Sequence, residues 1–328
     1  MSNDTRGTFL VVSVLAACAG AIPSGAGAAE AYPQRAIRLI VPYPPGGAGD
    51  IIGRILAARL GEAVRQQVVA DNRPGGGQVI ATQLTARANP DGYTLLLAST
   101  THAINPGLLK KLPYDSIRDF SAITLVADSP LLFLAHPALG VANIQELVAA
   151  AKTRPGRINY ASSGPGTGGH LSVELLKRMT GIDLVHIPYK GAGPALVDLV
   201  SGQVQVMCTS PLPSLPHVRA GRLKGLAMTG RARSSAAPEI PTVAESGVPG
   251  YESTLWYALL APVATPQPVL RRLHAETVKA IKLPEVVVQL SALGAQPIGN
   301  TPQEVTKFLQ SEITRWTRLI EQAGIRSD

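Results

Sequence analysis

Apolar and polar positions along the chain follow two periods, and the change from one to the other marks out its elements. Short apolar runs read as strands: "AIRLIV" (36–41), "QQVVADN", "YTLLLAS" (93–99), "SAITLVAD", "PLLFLAH" (130–136), the run at 158–161, "DLVHIPY", "QVQVMCT" and "RLKGLAMTG". Helical spacing lies between them. Ile51, Ile55, Leu56 and Leu60 share one face of "IIGRILAARL", and "VIATQLTARA", "NIQELVAAAK", the stretch from His170 and "ALVDLVSG" continue the alternation. The tail changes character: "PQPVLRRLHAETVKAI", "LPEVVVQLSAL" and "TPQEVTKFLQSEITRWTRLIEQAG" are mostly helical. Alternating strands and helices predict α/β architecture with parallel sheets flanked by helices. There are too many strands for one small sheet, and the pattern restarts near 130. The expected division is therefore 32–130 plus 251–328 as one lobe and 131–250 as the other. The late helices return to the first lobe, and the crossovers near 130 and 250 form a hinge.

Composition refines this picture in two places. The net charge of +8 raises nucleic acid as a partner, but the Lys and Arg are scattered and no run of them interleaves with aromatics, so no nucleic-acid role is expected. Residues 1–31 read as an export signal: Arg6, an apolar run from Phe9 to Ala21, then Ala26-Gly27-Ala28-Ala29. The expected location is the periplasm, with the mature chain opening near Tyr32. The alternative is a lipid anchor at Cys18, because "LAAC" resembles a lipoprotein box. Soluble cleavage leaves Cys208 as the only cysteine and no intrachain disulfide.

Candidate chemistry concentrates in four glycine-rich or small polar loops, each after a strand: 43–50, 99–107, 162–170 and 189–194. Gly164, Gly166 and Gly169 spell G-x-G-x-x-G, which opens a nucleotide-binding alternative. The supporting acidic residue is missing, since the next strand ends at Tyr189-Lys190 and Asp183 lies at its other end. Loops at the carboxyl ends of parallel strands put helix N-termini, with unpaired N–H groups and partial positive charge, where a small anion can bind. No H-E-x-x-H, G-x-S-x-G or Walker motif is present, and the six histidines lack metal-ligand spacing, so neither catalysis, metal nor cofactor is expected. Asp50 reads as an N-cap, with a second role toward an ammonium group left open. Cys208 reads as a buried small hydrophobe.

The ordered motifs "YPQRAIRLIVPYPPGGAGD", "DNRPGGG", "NPDGYTLLLAS", "LPYD", "YASSGPGTGGHL", "HIPYKGAGPAL", "PEIPTVAESGVPGYE" and "LLAPVATP" resemble the Bug-type extracytoplasmic solute-binding receptors of tripartite tricarboxylate transporters. The resemblance implies a two-lobed periplasmic-binding-protein-like fold (a Venus flytrap), a monomer that holds a small carboxylate between its lobes. Its partners would be transporter membrane subunits, or a signalling protein if the receptor is a sensor. Carried over by position, the implied ligand-binding residues are Tyr43, Gly46, Gly47, Asp50, Thr100, Thr101 and Asn105 from the first lobe. Ser163, Thr167, Gly168, Gly169, Tyr189 and Ala192 come from the second. Where the family often has an acidic residue after "GQVDVM", this chain reads Cys208-Thr209-Ser210, which argues against a cationic amine there.

Overall fold

Two mixed sheets with helices on both faces organise the chain. The computed structural model describes Met1 and residues 32–325, so the export signal and the Cys18 alternative lie outside the described residues. In chain order the first elements are β1 (Ile37–Val41), α1 (Ala48–Val64), β2 (Val68–Asn72), α2 (Val79–Ala86), β3 (Thr94–Ser99), α3 (Thr100–Leu108) and β4 (Phe120–Pro130). Next come β5 (Leu132–Ala135), α4 (Ile144–Thr153), β6 (Asn159–Ser162), α5 (Gly168–Thr180), β7 (Val185–Pro188), α6 (Ala192–Val200), β8 (Val206–Thr209), α7 (Pro211–Arg219) and β9 (Lys224–Met228). The chain closes with β10 (Thr254–Pro262), α8 (Gln267–Ile281), α9 (Pro284–Ala292), β11 (Gln296–Pro297) and α10 (Pro302–Ala323).

The six-stranded sheet has the order β11-β4-β10-β3-β1-β2, and the five-stranded sheet has the order β7-β6-β8-β5-β9. Sheet membership therefore switches between Pro130 and Leu132, and again between Met228 and Thr254. Each sheet is mixed, unlike the parallel sheets expected. β1 runs parallel to β2 and β3, but β10 is antiparallel to both β3 and β4. In the second sheet β6 runs parallel to β7 and β8, while β5 is antiparallel to β8 and β9. The cause is connectivity: a strand that crosses from one sheet to the other enters without the βαβ crossover that enforces parallel pairing.

Strand alternation explains why both faces of the second sheet are covered. Phe133, Tyr160, Val206 and Cys208 belong to one core, with Val173 and Leu176 of α5. Leu132, Leu134, Ala161 and Met207 belong to the other, with Ala195 and Leu199 of α6. A period of two sends successive residues to opposite faces, so a strand buried on both sides must be apolar throughout. Cys208 is buried and unpaired, its thiol pushed up by burial, as a small hydrophobe in a core requires. The first sheet's core joins Ile40, Leu96, Trp256 and Leu260 to Leu309, Trp316 and Ile320 of α10. The late helices return to this sheet: α10 packs on α3 and β4, and α8 on α1 and β4.

Among the described residues no helix is long and apolar enough to cross a membrane.

Candidate functional site

Four helices open directly from the loops singled out by the sequence, and their first turns share one property. The N-cap residues of α1, α3, α5 and α6 are Gly47, Ser99, Thr167 and Gly191, and none makes a side-chain capping bond. Of the helices that start elsewhere, α4 is capped by Asn143, which accepts from the Glu146 N–H, and α10 by the Thr301–Glu304 capping box, whereas α2, α7, α8 and α9 also lack a side-chain cap. At α5 the N–H groups of Gly168, Gly169 and His170 have no hydrogen-bond partner among the described residues. Uncapped first turns leave donors and positive potential for an anion.

The start of β10 holds three of these loops together. Thr100 donates its hydroxyl to the Thr254 carbonyl (3.4 Å) and accepts from the Trp256 N–H (3.0 Å). A Cβ on Gly168 would meet Leu255 Cδ2 at 2.5 Å, so the first residue of α5 lies against that same segment. Tyr257 then stacks at a tilt on Tyr43, with ring centroids 6.2 Å apart. The N-terminal ends of α3 and α5 and the loop after β1 thus converge on four consecutive residues. Leu108 at the end of α3 adds another contact, 2.5 Å from where a Gly166 Cβ would be.

The first loop is built around Asp50. Its carboxylate accepts from the Gly46 N–H (2.8 Å), Arg54 Nε (3.0 Å) and Asn72 Nδ2 (2.8 Å). Burial opposes ionisation, but the bonds from Arg54, Gly46 and Asn72 outweigh it and hold the carboxyl at about 2. Asp50 is the third helical residue, not the expected N-cap, which is Gly47. Its side chain is 4% exposed and its oxygens are engaged by donors that shape the loop. We expect Asp50→Asn to cost about 1–3 kcal/mol, because one acceptor of a charged network is replaced by a donor. The native pKa is depressed, so the stability this group adds is complete above the ordinary value of 3.8 and disappears as pH falls toward 2. Chemical denaturation from pH 2 to 5 checks it: stability should climb with pH in the native protein and climb less in the variant.

Thr100 and Asn105 are also framework. Both are buried, and Asn105 Nδ2 donates to the Gly77 carbonyl (2.9 Å) and to the Tyr114 hydroxyl (3.4 Å). Thr101 follows, half-buried, at the second position of α3. Tyr43 is half-buried, and burial raises its phenol although Ser99, Gln78 and Tyr257 hydrogen-bond to it. Gly46 and Gly47 are exposed, and Gly46 has φ +92°, which a side chain would strain.

In the second loop cluster, Thr167 turns its hydroxyl back to the Gly164 carbonyl (2.8 Å), away from the helix it opens. Ser163 is half-buried. Gly169 presses on the central strand, since a Cβ there would lie 2.2 Å from the Cys208 carbonyl oxygen. Tyr189 is half-buried and donates to Asp198 Oδ2 (2.7 Å), a bond that pushes its phenol up to about 12. Ala192, half-buried, is the first residue of α6. The sequence did not reveal what braces this loop. His170 is buried, accepts from the Gly166 N–H at Nδ1 (2.9 Å) and stacks on His186 at 3.9 Å between centroids. Burial, with the charges of His186 and Lys177, lowers it to about 3, so it is neutral and able to accept. Its place inside the loop was the one available signal. Leu108 and Leu255 carried none.

Asp50 and Asp198, the carboxylates that bond within the first and last of these loops, are both engaged by internal donors. Residues 52–325 match the model of the tripartite tricarboxylate transporter family receptor. Protein BugT of Bordetella pertussis is 37% identical over 327 residues, covering 99% of each chain. Among solved structures, R. palustris Rpa4515 with adipate is 35% identical with a TM-score of 0.77, covering 90% of this chain and 100% of its own. MatC from Rhodopseudomonas palustris with bound malate is 31% identical with a TM-score of 0.73, covering 88% and 100%. This chain belongs to the tripartite tricarboxylate transporter receptor family, whose members are solute-binding proteins of two-lobed α/β fold.

Proposed function

We propose that this receptor binds a small carboxylate between lobes 32–130 plus 251–328 and 131–250, and presents it in the periplasm to the membrane subunits of a transporter. One observation carries the reading: α5 opens on its glycine loop without a side-chain cap and keeps the N–H groups of Gly168, Gly169 and His170 unpartnered among the described residues. Backbone donors with a partial positive charge suit a carboxylate and perform no chemistry on it. The contacting groups would be Tyr43, Gly46, Gly47, Thr101, Ser163, Thr167, Tyr189 and Ala192, with the N–H groups of Gly168, Gly169 and His170. Adipate and malate, found in two relatives, are both dicarboxylates, and lobes that each offer helix ends can hold one carboxylate apiece. Export through residues 1–31, with the mature chain opening near Glu30 or Tyr32, belongs to the same proposal.

Calorimetric titration of the mature protein with adipate, malate and NADP tests it. We expect a dicarboxylate to bind and NADP not to. Gly168→Val should weaken that binding at least about tenfold, since a side chain at the first helical position crowds the N–H donors. The melting temperature should change little, because the neighbour it meets is the flexible end of Leu255. NADP binding without carboxylate binding would overturn the reading.

A further inference from the structure

The far half of α5, away from its N-terminal loop, lies beside α10, and a groove of about 550 Å³ separates them. Leu175 and Leu319 contribute apolar lining, and Arg178, Arg315 and Arg318 are the charged residues among those that line it. No carboxylate lines it. Arg178 and Arg318 are exposed and form no ion pair or hydrogen bond among the described residues. Arg315 is held in place: one nitrogen pairs with Glu312 (2.7 Å), another donates to the Glu252 carbonyl (2.8 Å), and its guanidinium lies 4.3 Å from the Trp316 ring centre. Its Nε is buried with no partner. The groove therefore combines apolar surface with two exposed positive charges, Arg178 and Arg318, that no carboxylate on its walls balances, while Arg315 is paired with Glu312.

We propose that this groove docks an acidic amphipathic helix of a protein partner, its apolar face over Leu175 and its carboxylates on Arg178 and Arg318. A small anion fits less well. It would meet two solvated arginines worth little each, and would leave the half-buried Leu175 in water. The two walls come from helices packed on different sheets, α5 on β8 and α10 on β4. On the receptor reading above, on which this point rests, a partner at the groove senses how the lobes stand to each other and so distinguishes loaded from empty receptor.

The test uses fluorescence anisotropy on the purified receptor. The probe is a labelled peptide of about fifteen residues with Glu and Leu at helical spacing, beside a counterpart carrying Gln for every Glu. The Glu peptide should bind at least about tenfold more tightly than the Gln peptide, and added salt should erase the difference. The double variant Arg178→Gln/Arg318→Gln should lose that advantage while keeping its melting temperature and its calorimetric affinity for dicarboxylate. Equal affinity for the two peptides, or no change in the variant, overturns the proposal. So does displacement of the peptide by citrate in the variant and native protein alike. Glu-peptide binding without any carboxylate binding leaves the groove standing and removes the solute reading instead.

Discussion

Gly169→Val should destabilise the receptor by roughly 3 kcal/mol or more, well beyond the effect of the same change at Gly168. The two glycines are neighbours, yet what each touches differs in kind. A Cβ on Gly168 meets the end of the Leu255 side chain at 2.5 Å, and a rotamer change relieves it. A Cβ on Gly169 meets the Cys208 carbonyl oxygen at 2.2 Å, which is backbone of β8. That strand lies in the middle of its sheet, paired with β5 and β6, so it cannot yield without loosening both ladders. Either α5 lifts off the sheet or β8 shifts, and packed interiors resist both. Guanidinium denaturation of the two variants decides it. Equal losses at 168 and 169 would show that the carbonyl contact is not what demands a glycine.

Glu312→Ala is the second large effect, expected at about 3–5 kcal/mol because it strips one partner from a buried charged network. Glu312 is 5% exposed. One oxygen accepts from Trp256 Nε1 (2.9 Å) and Trp316 Nε1 (3.0 Å), and the other pairs with Arg315 (2.7 Å). Truncation leaves two buried indole donors unsatisfied and a guanidinium without its counter-charge. Trp256 sits on the segment of β10 that meets Thr100 and the start of α5, so the damage reaches that loop cluster as well as α10. Glu312→Gln keeps an acceptor at the same place and should cost less than half as much. The check is urea denaturation against Glu321→Ala, an exposed position on the same helix; equal losses would mean the indole bonds add nothing.

Much of this architecture was legible in the chain, and the reasons are local. β1 and β3 are apolar runs bounded by turn residues, and α10 announces itself through Thr301, Pro302 and Glu304, a cap that any solvent-exposed helix start would use. The stretch 99–107 reads as a loop because Thr100, Thr101, Asn105 and Pro106 are poor helix formers, yet it is α3, held by packing against α10. Three prolines likewise hid α7, which runs from Pro211 to Arg219. β10 escaped for a different reason. Its identity as a central antiparallel strand depends on β3 and β4 standing ready on either side, a non-local condition that no window of residues contains.

The glycine loop divides the same way. Gly164 at φ +133° and Gly166 at φ +71° form a turn that the residue types themselves demand, so a strand, a tight loop and a helix were readable from the letters. Gly169 supplies close helix-to-strand approach, the same physical task its counterpart performs in a dinucleotide fold, which is why the pattern alone could not separate the two. Tertiary structure decided what surrounds the loop. It set the uncapped end of α5 against Leu255 and Leu108, braced it with His170, and withdrew Asp50, Thr100 and Asn105 into the framework. Backbone conformation answers to each residue's own sterics and is written locally, whereas the choice of which polar groups face a ligand and which face the protein is made by partners distant in the chain.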